Sequence, residues 1–289
     1  MKAALYLSLL LASPLGADTT FLSGEKHAWS ANTGWINFAG DALQGVVAGE
    51  SYFSGYAWSA NTGFINFGNG SPTNGHTYSN TDAADFGVNH DGTGNLAGYA
   101  WSANTGWINF GWATPTDPKR PRFDLQTGNF SGFAWSANTG WVNLGAGYLT
   151  TSSMARPDSD NDGIADHWEH LHFLGLGTAG LGTDQDKDGV TDAAEYAADT
   201  NPKVAADTLR IISQSYSEGL TKATLEFTSK PSRLYRMQFS NDLGAGDPWA
   251  DSPFGIFAPD AGTTTTKAFN FPANPTKFFR AVAIRPLQP

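Results

Sequence analysis

Ala28-Trp29-Ser30-Ala31-Asn32-Thr33-Gly34 decides how the first half of this chain is read, because it recurs unchanged at Ala57–Gly63, Ala100–Gly106 and Ala134–Gly140. Each copy continues into an apolar tetrad: Trp35-Ile36-Asn37-Phe38, Phe64-Ile65-Asn66-Phe67, Trp107-Ile108-Asn109-Phe110 and Trp141-Val142-Asn143-Leu144. Aromatic and β-branched runs favour strands, and the Ala-Asn-Thr-Gly between them supplies a turn whose glycine takes left-handed backbone. Copies two to four share an approach, Phe53-Ser54-Gly55-Tyr56, Leu96-Ala97-Gly98-Tyr99 and Phe130-Ser131-Gly132-Phe133, where the first has Glu25-Lys26-His27. An atypical first unit is what a capping repeat shows. Spacings of 29, 43 and 34 residues place the length variation in loops such as 68–85. Residues 18–150 therefore read as four aromatic β-hairpin or meander repeats, stacked or closed around a shared core.

Which aromatic row is buried depends on the turn. An even-numbered loop puts Trp29 on one face with Ile36 and Phe38; a three-residue bulged loop puts Trp29, Trp35 and Asn37 together. The first gives one clean apolar face and is the expectation. It assigns Trp29, Trp58, Trp101 and Trp135 to the core and leaves Trp35, Phe64, Trp107 and Trp141 as a repeated array beside asparagines. Packing alone accounts for such rings. A platform of rings flanked by amides also suits a glycan, whose C–H faces stack on aromatics while its hydroxyls bond amides.

Farther along, Asp158-Ser-Asp160-Asn-Asp162-Gly163-Ile164-Ala-Asp166-His-Trp-Glu169 and Asp184-Gln-Asp186-Lys-Asp188-Gly189-Val190-Thr-Asp192-Ala-Ala-Glu195 each fill a twelve-position calcium loop. Acids stand at positions 1, 3, 5 and 9, glycine at the sharp turn, a carbonyl donor at 7 and glutamate at 12. One match could arise by chance in an acidic chain; two, 26 residues apart, could scarcely do so. The expected ligands of two Ca²⁺ are Asp158, Asp160, Asp162, Ile164, Asp166 and Glu169, then Asp184, Asp186, Asp188, Val190, Asp192 and Glu195. Position 9 can act through water and the glutamate in bidentate fashion. Helical pattern follows each loop and does not precede it, so these are EF-hand-like half-hands. His167, His170 and His172 on the first exit helix read as packing or surface groups, with a transition-metal site as the lesser reading.

The segment 158–202, including its closing Thr200-Asn201-Pro202, resembles the calcium repeats of thrombospondin type 3 and dockerin segments, in the form common in exported bacterial proteins. The first half is similar to "GYAWSxNxGWINF" repeats of bacterial surface proteins, which implies display at the cell surface. Residues 208–289 resemble the β module that often follows such calcium segments, with Tyr235-Arg-Met-Gln-Phe239 and Phe278-Phe-Arg-Ala-Val-Ala283. Their alternating runs read as a small β-sandwich of five or six strands with Trp249 in its core.

Met1–Ala17 carries one lysine, a short apolar run and a small-residue end, the pattern of a signal peptide, too short to span a membrane. The expected division is therefore 1–17 signal, 18–150 repeats, 151–207 calcium segment and 208–289 sandwich, a mainly β chain that is secreted or at the cell surface. Cysteine is absent, so metal rather than sulfur is expected to stabilise the small central segment. The net charge of -10 arises largely from the ten loop acids, and a nucleic-acid partner would need a basic patch instead. No Gly-x-Ser-x-Gly, His-Glu-x-x-His or phosphate-binding glycine loop occurs. These features favour a calcium-binding structural or adhesion protein whose partner is a glycan or a surface protein. The rival is an extracellular polysaccharide-active enzyme with carboxylates drawn from distant loops.

Overall fold

The computed structural model describes residues 19–40, 44–217, 219, 221–271 and 277–288; the leader expected at 1–17 lies outside them. The four repeats form four antiparallel hairpins: Phe21–Ser30 with Gly34–Asn37, Tyr56–Ser59 with Gly63–Asn66, Leu96–Ser102 with Gly106–Asn109, and Phe133–Ser136 with Gly140–Asn143. Successive hairpins join at Asn37 with Trp58, Asn66 with Trp101 and Asn109 with Trp135. Trp29 then pairs with Asn143, so the eight strands close into a barrel.

Closure reverses the expected faces. Ser30 pairs with Gly34 and Trp29 with Trp35, so the turn holds three residues, Ala31-Asn32-Thr33, and the glycine sits at φ 73°. The same geometry recurs at Gly63, Gly106 and Gly140, with φ between 71° and 76°. Both aromatic rows consequently point outward, and Trp29, Trp58, Trp101 and Trp135, expected in the core, are 37–42% exposed. The physical reason is room: an eight-stranded barrel is just wide enough for side chains to fill. Its interior takes Ala28, Ala57, Ala100 and Ala134 with Ser30, Ser59, Ser102 and Ser136, all buried, leaving no space for indoles. Ile36, Ile65, Ile108 and Val142 face those alanines directly from the paired strands. Phe38, Phe67, Phe110 and Leu144 close the far end, where Phe67 stands 5.0 Å from Phe38 and 5.5 Å from Phe110.

The unvarying turn sequence has a structural cause. Each turn asparagine donates its side-chain amide to the threonine carbonyl of a neighbouring turn: Asn61 to Thr33, Asn104 to Thr62, Asn138 to Thr105 and Asn32 to Thr139, at 2.9–3.1 Å. The four bonds form a ring around the barrel mouth, so alanine, serine, asparagine, threonine and glycine each have a task that every copy repeats. Gly55, Gly98 and Gly132 in the approach segments take positive φ, and a Cβ there would strike the carbonyls of Gly45, Gly87 and Arg120. Short ladders, Val47–Ala48 with Phe53–Ser54 and Arg122–Phe123 with Phe130–Ser131, extend the core below the barrel through Phe53, Phe123 and Phe130.

The core assignment has a direct test. Phe67→Ala should cost about 3–5 kcal/mol, whereas Trp101→Ala should cost no more than about 1 kcal/mol, the scale of an exposed cross-strand pair. Equilibrium denaturation of both variants measures the difference, and equal losses would contradict the outward placement of Trp101.

Residues 211–284 form two facing three-stranded sheets, Ile211–Ser217, Lys222–Thr228 and Thr264–Asn270 against Ala250–Phe257, Leu234–Ser240 and Phe278–Ile284. Leu225, Phe227, Met237 and Phe269 fill the space between them. The strand Ala250–Phe257 escapes a reading by alternation because Pro253 and Gly255 interrupt it. Trp249 is not in this core: it is half-buried at the edge, with the Arg280 guanidinium 4.3 Å above its ring.

Candidate metal centres and an aromatic belt

Two helices begin at position 9 of the acidic loops, α1 (Asp166–Phe173) and α2 (Asp192–Ala198), and no helix leads directly into either loop. The loops share one backbone path. Asn161 and Lys187 at position 4 take φ 61° and 63°, and Gly163 and Gly189 at position 6 take 90° and 92°. Asp158 accepts the amides of Asp162 and Gly163, and Asp184 those of Lys187 and Gly189, at 2.8–3.2 Å. Asp162 and Asp188 accept from Ile164 and Val190 at 2.9 and 2.7 Å. These bonds curl each loop so that Asp158, Asp160 and Asp162, and likewise Asp184, Asp186 and Asp188, bring one oxygen each within 4.8 Å of one another. Oxygens sharing a Ca²⁺ at 2.3–2.6 Å can be at most about 5 Å apart. The spacing therefore fits such an ion.

Position 9 closes the loop. Asp166 accepts the Ser159 amide and hydroxyl at 2.7 and 2.6 Å, and Asp192 accepts the Gln185 amide at 3.2 Å. Position 12 is buried: Glu169 and Glu195 have no exposed surface. One oxygen of each is held by the protein, Glu169 Oε1 by the Gly177 amide and Glu195 Oε1 by the Thr200 hydroxyl. The second oxygens, with Asp162 Oδ2, Asp186 Oδ2 and Asp192 Oδ2, are buried without a hydrogen-bond partner. Burial above all, and then the surrounding loop aspartates, push both glutamate carboxyls up to about 7. Buried carboxylate oxygens without partners are costly unless a cation meets them, so the donor set suits a hard divalent ion.

The three histidines of α1 diverge. His167 turns toward Glu50 at 3.4 Å, His172 lies 4.6 Å from the Trp168 ring, and His170 packs over Gly75. They assemble no common site.

Sequence reasoning passes over the residue that ties the segments together. Glu50, buried beneath the barrel, meets Arg156 at 3.3 Å, Arg233 of the sandwich at 3.6 Å and the Tyr196 hydroxyl of α2 at 3.1 Å. Arg233 also donates to the Ala197 and Tyr196 carbonyls, and Arg285 stacks on Tyr196 at 4.8 Å. Burial alone would raise the Glu50 carboxyl, but the guanidiniums of Arg233 and Arg156, joined by His167 once its ring is protonated, more than offset it and hold it at about 2. Burial lowers His167 to about 4, so it faces Glu50 as a neutral imidazole at physiological pH. No local pattern marks Glu50, because its partners are more than a hundred residues away.

On the barrel exterior the belt comprises Trp29, Trp35, Trp58, Phe64, Trp101, Trp107, Trp135 and Trp141, between 37% and 57% exposed. All four array residues expected to be accessible are accessible, joined by the row expected to be buried. Trp29 and Trp35 lie 5.0 Å apart, and Trp135 and Trp141 4.6 Å, as tilted or edge-on pairs. Loop residues add further rings: Tyr148 at Trp35, Phe86 at Trp107 and Trp112 at Trp141. Asn37, Asn66, Asn109 and Asn143 share this face, each accepting a backbone amide two residues on through Oδ1 at 2.7–2.9 Å.

Comparisons with family models, curated proteins and solved structures find no match to this chain. No helix among the described residues is long and apolar enough to cross a membrane.

Proposed function

We propose that this is an exported, calcium-stiffened adhesion protein that binds neutral glycans through its aromatic belt. The observation that carries the reading is the outward display of eight aromatic side chains on a barrel whose interior is already filled. Large apolar side chains left in water at repeated positions, each beside an amide, mark a contact surface more readily than a packing device. Asparagine and tryptophan offer the mixture of donor and flat apolar face that a pyranose needs.

Two Ca²⁺ complete the reading. Asp158, Asp160, Asp162, the Ile164 carbonyl and Glu169 would hold the first, and Asp184, Asp186, Asp188, the Val190 carbonyl and Glu195 the second. Asp166 and Asp192, at position 9 of each loop, would act through water. The ions' chemistry here is structural: they neutralise buried acid and fix α1 and α2. With helices held in place, Tyr196 and His167 stay against Glu50, and the belt-bearing barrel is oriented on the sandwich.

A glycan array and a hydrolysis assay on the same polymers test the proposal. Binding without release of reducing ends is the expected outcome, and turnover would favour the polysaccharide-active alternative. Absence of binding to any neutral glycan would end the adhesion reading in this form.

A further inference from the structure

Although the repeats are nearly identical in sequence, their surroundings are not. The connection between the second and third hairpins is the longest of the three, and part of it folds back beside Trp107. Its shape is internally held. The Asp85 carboxylate accepts the Ser79 and Thr73 amides at 3.0 and 3.2 Å, and Asn80 accepts the Gly87 amide at 3.1 Å. Tyr78 is buried beneath it, donating its hydroxyl to the Phe53 carbonyl at 3.2 Å. The wall is thus built before any ligand arrives, which lowers the ordering cost of binding.

Between this wall and the barrel lies a cleft of about 410 Å³, lined by Asn80, Thr81, Asp82, Phe86, Tyr99 and Trp107. That volume falls in the range of small-molecule sites, roughly 300–1,000 Å³. Phe86 meets Trp107 edge-on at 5.0 Å and Tyr99 stands 5.9 Å away, so two rings brace the indole while 44% of it stays exposed. Asp82, also in the cleft lining, uses Oδ1 to accept the Ala84 and Asp85 amides at 2.8 and 3.2 Å. Its Oδ2 has no protein hydrogen-bond partner among the described residues.

We infer that this cleft is the principal saccharide site, taking one hexose of a neutral β-linked chain; the inference rests on the glycan reading above. A hexopyranose with equatorial hydroxyls presents a flat face of axial C–H bonds to Trp107 and an edge of hydroxyls to Asp82 and Thr81. The carboxylate accepts hydroxyl protons in charge-assisted bonds. It also repels uronic and sulfated sugars, as does the chain's net charge of -10. Asp82 is the sole acid lining the cleft among the described residues, whereas glycoside hydrolysis uses a pair of carboxyl groups. Binding is therefore the chemistry this cleft supports.

The test is calorimetric titration of the calcium-loaded full chain with cellohexaose and chitohexaose, using glucuronate oligomers as the acidic control. Trp107→Leu should weaken binding by about tenfold or more, and Asp82→Ala by several-fold, while Trp107→Phe, which keeps a ring, retains most affinity. Trp35→Leu and Trp141→Leu should change it by less than about twofold. Equal losses in Trp35→Leu, Trp107→Leu and Trp141→Leu would overturn the cleft as principal site and leave the belt-wide glycan reading standing. Unchanged binding in Trp107→Leu would likewise overturn it. If the wild-type chain binds neither neutral oligomer but the array finds another neutral glycan, the hexose assignment fails alone; if the array is blank, both readings fail. Tighter binding of the acidic oligomers would contradict the role given to Asp82.

Discussion

Glu50→Ala should be the most damaging single substitution outside the barrel interior, costing about 3–5 kcal/mol in an equilibrium unfolding experiment. That is the usual loss when one partner of a buried ion pair is removed and the other charges stay behind. Arg233 is 4% exposed at its side chain and Arg156 9%, so neither guanidinium can turn to water without moving its segment. Arg233→Met in the same background should recover part of the loss, because it removes one stranded charge; an additive double variant would show that the two do not act together. The pH dependence follows from the same site. The carboxyl sits at about 2 in the folded chain against an ordinary value of 4.5. Its contribution is present above pH 4.5 and is lost as pH falls toward 2, while the facing His167, held at about 4, gains its proton in the same window. Glu50→Gln should flatten the stability profile in that window, and an unchanged acid limb would argue against the assignment.

Removal of calcium should act on the same junction from the other side. Calorimetry of chelated protein should detect two sites, and the double variant Glu169→Gln, Glu195→Gln should lose them; two intact sites in that variant would refute the ligand assignment. With extracellular-type dissociation constants of about 10⁻⁴ to 10⁻³ M, calcium at about 2 mM contributes roughly 0.6–1.8 kcal/mol per site. That effect would be concentrated at the loops, where bound ions would oppose repulsion among five acids in each. Without them α1 and α2 should loosen, releasing Tyr196 from Glu50 and exposing Trp168, which is buried at present. Limited proteolysis should then cut first between residues 152 and 206. The barrel should stay intact, since its core residues include no acidic loop ligand. Equal cutting within the tryptophan repeats would show that calcium supports the whole chain.

Much of this molecule was legible in the amino-acid order, because much of it is local. A twelve-position loop carries its own turn residues, so the acids at positions 1, 3 and 5 converge through bonds spanning five residues or fewer. The four hairpins were equally visible, since strand propensity and an Asn-Thr-Gly turn lie within eleven residues. The face each hairpin buries was not. A strand's alternation fixes which residues share a side, but the turn length that couples the two strands is open, and burying tryptophan is ordinarily favourable. Only barrel closure decides the matter, when Trp29 pairs with Asn143 across the full length of the domain and the narrow interior admits alanine and serine at that level. Glu50 belongs to the same class. Its meaning comes from Arg156, His167, Tyr196 and Arg233, which approach it through folding rather than through sequence spacing. Local chemistry thus determined the hairpins and the acidic loops, while enclosed volume and long-range charge pairing decided which side of the barrel meets water and how the three parts lock together.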